Sequence, residues 1–134
     1  MSEPIPLRVL LVDDEQGFVE VLAKRLRRRG LTVAVALSGA EGLRLLREND
    51  FDAAVCDLKM VDMDGIEVLK VFTKMVPAMP VVMLTGHGSE EAAKDGLAAG
   101  AADYLLKPCD IDELLAKLVE AVDKAKAAPA SPSA

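Results

Sequence analysis

Apolar residues in this chain follow two rhythms that alternate along its length. The first is the short apolar run. Leu7–Val12 is apolar apart from Arg8, and Phe51–Asp57 is apolar apart from Asp52 until it stops on a carboxylate. Val81–Leu84 and Ala102–Leu106 are runs of similar length. Such runs between polar boundaries predict strands of a buried sheet. Leu31–Ala36 instead alternates large and small side chains with period two, as a strand near a sheet edge does. The second rhythm is helical. It appears as Phe18, Leu22 and Leu26 with Val19 and Ala23 beside them, as Leu43 and Leu46, as Ile66, Leu69 and Phe72, and as Ile111, Leu114, Leu115, Leu118 and Val122. An Ala-rich stretch weakened by Gly96 supplies one further short helix.

Boundary residues fit these elements. Asp14 is placed to cap the first helix and Gly30 to follow its end. Ser38 and Glu41 form a capping-box pair, and Asn49 ends that helix. Leu58–Met63 reads as a loop, Asp64 opens the third helix, and Pro77 and Pro80 close it off. Ser89 and Gly100 bracket the fourth helix, and Asp110 starts the fifth. Arg27, Arg28 and Arg29 fall in the last turn of the first helix, where they complement its dipole as a solvated end.

Five strand–helix alternations predict an α/β fold with a parallel sheet. Right-handed crossovers bring all strand C-termini to one end. The expected arrangement is flavodoxin-like: five parallel strands in the order 2-1-3-4-5 with helices on both faces. The first and third strands then meet at the topological switch point, where ligands bind. One domain is expected over residues 1–127, with the Pro- and Ser-containing residues 128–134 as a linker-like tail.

Composition narrows the function. A net charge of −6 argues against direct nucleic-acid or anionic-membrane binding. No apolar run reaches membrane-span length, and Met1–Pro4 does not resemble a signal peptide, so a cytoplasmic location is expected. Cys56 and Cys109 lack metal-site spacing and read as reduced thiols. His87, the one histidine, reads as a solvated loop residue.

The chemistry lies at the strand ends. Asp13 and Asp14 follow the first strand, Asp57 ends the third, Thr85 the fourth, and Lys107 follows the fifth. Three carboxylates brought together repel unless protonated or joined by a cation. Mg²⁺ suits an all-oxygen site that also meets phosphate. A carboxylate can itself attack a phosphoryl group. Asp57, between the two acids and the Thr–Lys pair on its far side, is the candidate acceptor.

These residues carry a resemblance. Val12-Asp13-Asp14-Glu15, Asp57-Leu58-Lys59-Met60, Met63-Asp64-Gly65, Leu84-Thr85-Gly86 and Lys107-Pro108 stand in order on successive strand ends, over about Leu7 to Lys126. Each motif is weak alone; together they make the chain similar to the receiver domain of two-component response regulators. The resemblance implies that Asp57 accepts a phosphoryl group from a histidine kinase or phosphotransfer protein. It implies Mg²⁺ held by Asp13, Asp14, Asp57 and the backbone carbonyl of Lys59. Thr85 and Lys107 would hold the phosphoryl oxygens, Tyr104 would act as an aromatic switch, and the Lys107–Pro108 bond would be cis. The output would be a downstream protein bound at the face of the fourth helix, fifth strand and fifth helix. The domain would be regulatory and not an enzyme, beyond its own phosphorylation and dephosphorylation. One position departs from the family pattern: Val61 stands where proline is usual, so a less rigid loop after Asp57 is expected.

Other functions fit less well. A flavin carrier of the same strand order needs a phosphate cradle where this chain has Asp13-Asp14-Glu15, and rings to stack a flavin, for which this chain has no Trp and only one Tyr. An aspartyl-phosphate phosphatase needs a second acid where Lys59 stands. A phosphorylation-independent scaffold need not keep all the acids and the lysine. Stand-alone receiver and piece of a larger regulator both remain open.

Overall fold

The computed structural model describes residues 5–86 and 90–127. His87, Ser89 and the 128–134 segment lie outside them. The elements run β1 (Arg8–Val12), α1 (Gln16–Arg28), β2 (Thr32–Ala36), α2 (Gly39–Glu48), β3 (Ala53–Asp57), α3 (Gly65–Met75), β4 (Val81–Thr85), α4 (Glu90–Ala98), β5 (Asp103–Leu106) and α5 (Ile111–Ala127). The five strands are parallel in the order β2-β1-β3-β4-β5. The edge position expected for Leu31–Ala36 is where β2 lies. The strand read from Phe51 begins at Ala53. Phe51 is half-buried and takes part in packing outside the ladder.

Side-chain alternation divides the core into two layers. Val9, Leu11, Ala53, Val55, Val82, Leu84 and Leu105 pack with Val19, Leu22 and Leu26 of α1 and Leu114 and Leu118 of α5. Leu10, Val12, Ala54, Cys56, Val81 and Met83 pack on the other face with Leu46 of α2 and Val68, Leu69 and Phe72 of α3. β3 and β4 are buried along their whole length, as their uninterrupted apolar character requires. Each fully buried Leu, Val or Phe here contributes about 1.5–3 kcal/mol over its exposed state. Among the described residues no helix is long and apolar enough to cross a membrane.

Helix ends follow the sequence reading with one exception. Ser38 Oγ accepts from the Glu41 amide, and Asp64 Oδ1 accepts from the Ile66 amide at 3.0 Å. Gly30 and Gly100 have φ of 97° and 112° just past α1 and α4, a region closed to most side chains. Asp14 does not cap α1. Glu15 holds that position and makes no side-chain cap, and the Asp13 carboxylate takes the Glu15 amide instead. Asp14 is thereby left available to the end of the sheet.

Candidate functional site

The ladder continues one residue beyond two of the strands and so aims the side chains that matter. The Asp13 amide donates to the Ala36 carbonyl at 3.0 Å, and the Lys107 amide donates to the Thr85 carbonyl at 2.8 Å. Asp57 is still within β3, paired with Leu84. Side-chain alternation sends Asp13, Asp57 and Lys107 toward the α1–α5 layer, in step with Leu11, Val55 and Leu105. Thr85 is in step with Val81 and Met83, on the opposite layer. The site therefore has an ionic side and a hydroxyl side.

On the ionic side Asp13, Asp14 and Asp57 each offer an oxygen within 4.8 Å of the others. Asp13 and Asp57 are buried and Asp14 is half-buried. Lys107 reaches this cluster from beyond β5. Its Nζ lies 2.8 Å from Asp13 Oδ2, 2.6 Å from Glu15 Oε1 and 3.4 Å from Asp57 Oδ2, and 4.8 Å from the centre of the Phe18 ring. Its expected place on the far side of Asp57 from the acids is thus corrected. The long flexible stem lets the ammonium reach in from beyond β5, and the carboxylates of Asp13, Glu15 and Asp57 draw it there.

Electrostatics follow from this packing. Burial raises the Asp57 pKa above the usual 3.8, and the Asp13 charge raises it further. The Lys107 ammonium and a long 3.5 Å bond from the Lys59 amide only partly oppose them. Burial works against the Lys107 charge, but the Asp13 and Glu15 carboxylates outweigh it and push its pKa up to about 12. Burial raises the Cys56 thiol still more clearly, with the Asp57 charge behind it, so Cys56 is an inert neutral group beside the site.

The residues present fit a hard divalent cation. The donor set is all carboxylate oxygen, and the buried Asp13 Oδ2 has the Lys107 ammonium, at 2.8 Å, as its charged neighbour. One lysine faces three carboxylates there, so the cluster has room for more positive charge.

The loop from Leu58 to Asp64 is held at several points. The Val61 amide donates to Asp14 Oδ2 at 2.8 Å, and the Asp62 carboxylate accepts from the Gly39 and Ala40 amides, each at 3.0 Å. Those two amides lower the Asp62 pKa. The Gly65 amide donates to the Leu58 carbonyl at 2.9 Å. A Cβ on Gly65 would run into the Asp57 carbonyl oxygen and stand 2.7 Å from Leu58 Cα. Both neighbours are backbone and cannot move aside cheaply. Gly65→Ala is expected to destabilise the protein by about 2–3 kcal/mol, read by urea unfolding. An unchanged midpoint would show that the loop yields freely.

On the hydroxyl side Thr85 is buried, and it borders an open cleft of about 520 Å³ with Met60, Met63, Ile66, Ala92 and Asp95. Tyr104 pairs with Met83 in the β4–β5 ladder and packs into the same layer, half-buried. The Lys107–Pro108 peptide is cis.

Sequence reasoning brought Asp13, Asp14, Asp57, Thr85 and Lys107 to one end of the sheet, and there they stand. It missed Glu15 as a Lys107 partner. Its signal was a third acid directly after Asp13 and Asp14. It also missed the Val61 amide, which no side-chain pattern reveals.

Comparison with known proteins is consistent with this arrangement. Residues 9–119 match the family model described as the response regulator receiver domain. The transcriptional regulatory protein ZraR of Escherichia coli K12 is 43% identical over 114 residues, covering 85% of this chain and 26% of that protein. The chain thus spans about a quarter of that relative's length. A CheY-like response regulator receiver domain protein from Methanospirillum hungatei JF-1 superposes with a TM-score of 0.85 at 34% identity, over 91% of this chain and 98% of that one. A response regulator from Burkholderia pseudomallei, solved with a phosphorylated aspartic acid, a calcium ion and citrate, gives 0.81 at 29% identity over 90% and 71%.

Proposed function

The chain belongs to the response regulator receiver domain family, whose members are phospho-acceptor switches, and we propose that Asp57 is its phospho-acceptor. The observation that carries this reading is the buried Asp57 carboxylate at the end of β3, with Asp13, Asp14 and Lys107 gathered on it. An Asp57 carboxylate oxygen forms the new O–P bond as the P–N bond of a donor phosphohistidine breaks. The departing imidazole nitrogen takes up a proton. That donor is a partner histidine kinase or phosphotransfer protein. Asp13, Asp14, Asp57 and the Lys59 carbonyl would hold Mg²⁺, whose positive charge lets an anionic phosphoryl group enter an acidic cluster. Lys107 stays protonated beside the acceptor and stabilises the charge that builds on the transferring oxygens.

The phosphorylated state is read on the hydroxyl side. The Thr85 hydroxyl donates to a phosphoryl oxygen only once that oxygen is present. Tyr104 lies on the same layer, and its ring follows the Thr85 movement inward. The face of α4, β5 and α5 then changes its affinity for a downstream protein, as a population shift between two states. The domain's own chemistry is confined to taking and losing the phosphoryl group.

One experiment tests both halves. The chain has one tyrosine and no tryptophan, so its ultraviolet emission reports Tyr104 alone. Incubation with a small-molecule phosphodonor is expected to give a single phosphoryl adduct by intact mass with Mg²⁺ and almost none with chelator. Tyrosine emission should change in parallel. No adduct would overturn the acceptor role, and an adduct indifferent to chelator would overturn the Mg²⁺ requirement. An adduct that leaves the emission unmoved would remove Tyr104 from the switch.

A further inference from the structure

Val61 is 97% exposed, so its side chain packs on nothing. Its backbone is far from idle, because the amide donates to Asp14 Oδ2 at 2.8 Å across 47 residues of sequence. Position 61 therefore meets the acidic cluster through one N–H group. Proline has no such group, so the bond depends on the residue type although the side chain takes no part. The amide is also aimed by its neighbours. The next residue, Asp62, is bound by two amides at the start of α2, and the Leu58 carbonyl is bound by the Gly65 amide.

A carboxylate has two oxygens, and this bond occupies one of them. The bond restrains how the carboxylate plane is turned, and Asp14 also offers an oxygen within 4.8 Å of oxygens of Asp13 and Asp57. Carboxylates that bind a metal are commonly held by such hydrogen bonds, and loss of such a partner costs about 10–100-fold in metal affinity.

We propose that the Val61 amide is a positioning group for Asp14, holding its carboxylate turned for a divalent cation. The inference rests on the reading of Asp13, Asp14 and Asp57 as a Mg²⁺ site. A competing arrangement has the amide and the cation contend for Asp14. In that case the bond breaks as the metal binds.

The test is Mg²⁺ titration by calorimetry of the wild type, Val61→Ala and Val61→Pro, with amide hydrogen exchange at Val61 in the wild type. Val61→Ala keeps the N–H and is expected to bind within twofold of wild type. Val61→Pro removes it and is expected to bind about tenfold more weakly. The full exposure of the side chain favours normal folding of both variants, which thermal unfolding checks. In the wild type the Val61 amide is expected to stay protected at saturating Mg²⁺, a readout that needs no variant. Equal or tighter binding by Val61→Pro overturns the proposal, as does an amide that loses protection when Mg²⁺ is added. If the wild type binds no Mg²⁺, both this proposal and the metal reading fall. If it binds and the proline variant binds equally well, only this proposal falls.

Discussion

Asp57→Asn is expected to abolish the phosphoryl adduct and, with divalent cations removed, to leave a more stable protein. The first effect follows from the loss of the attacking carboxylate. The amide is isosteric but is no nucleophile toward phosphorus, and Asp13 and Asp14 lie off the strand end. The second effect follows from burial. The Asp57 carboxyl is 7% exposed and faces Asp13, and both circumstances raise its pKa in the folded state. An acid whose folded pKa is raised binds its proton more tightly folded than unfolded. Its contribution is stabilising below the usual carboxylate value and is lost as pH rises through the raised one. At neutral pH the ionised group therefore works against the fold. Removing it is worth about 1 kcal/mol, or about 4 °C in melting temperature for a domain of this size. Lys107 retains Asp13 and Glu15 as partners, so the substitution does not strand a cation. The difference in stability between wild type and variant should shrink as pH is lowered toward the ordinary carboxylate range. Thermal melts across pH with chelator check this. A destabilised variant, or a gap that widens in acid, would contradict the picture. An adduct persisting in the variant would move the acceptor to another residue.

Lys107→Met should have the largest effect on stability. Its ammonium is 8% exposed and lies within 3.4 Å of three carboxylates. Methionine replaces most of the stem but neither the charge nor the ammonium's contact with the Phe18 ring. Asp13 and Asp57 are then buried together with no compensation, a situation that costs about 3–5 kcal/mol when one partner of a buried pair is removed. Protonation of one carboxylate and the exposed position of Glu15 hold the loss near the lower end, about 3 kcal/mol. Saturating Mg²⁺ should restore much of it, because the carboxylates left behind are those read as the metal ligands. Urea unfolding with chelator and with Mg²⁺ measures both quantities. A loss that Mg²⁺ leaves untouched would count against the metal reading. A variant as stable as wild type in chelator would mean that the carboxylates are not coupled to this lysine. Adduct formation should fall as well, since the transferring oxygens lose their nearest fixed cation.

The fold was legible because its signals are local. Unbroken apolar runs at Val81–Leu84 and within Phe51–Asp57 are possible only for strands covered on both faces, and those became β4 and β3. Helical spacing marked the buried stripes of α1, α3 and α5, which pack as that spacing requires. Gly30 and Ser38 act as helix-end residues for reasons contained in their own chemistry. Asp14 is the instructive failure. An acid ahead of an apolar stripe is a good capping signal, yet α1 starts one residue later with Glu15 in the cap position, and Asp14 turns to the Val61 amide instead.

Much of the site was legible too, once strand order put five strand ends side by side. Residue identity and period alone place carboxylates, a hydroxyl and an ammonium at one end of a parallel sheet. They cannot say where a long side chain ends. Lys107 has four rotatable carbons, and only the surrounding charge and the Phe18 ring determine that its Nζ lies among Asp13, Glu15 and Asp57. Backbone donors are equally silent in a sequence, since every residue but proline has one. That Val61 spends its amide on Asp14, and Asp62 its carboxylate on the start of α2, depends on how a loop crosses between three elements. Element types, their order and the chemical inventory of the site are thus properties of local pattern. Which charge meets which, and which loop atom orients a ligand, are long-range distances that exist only when the chain is folded.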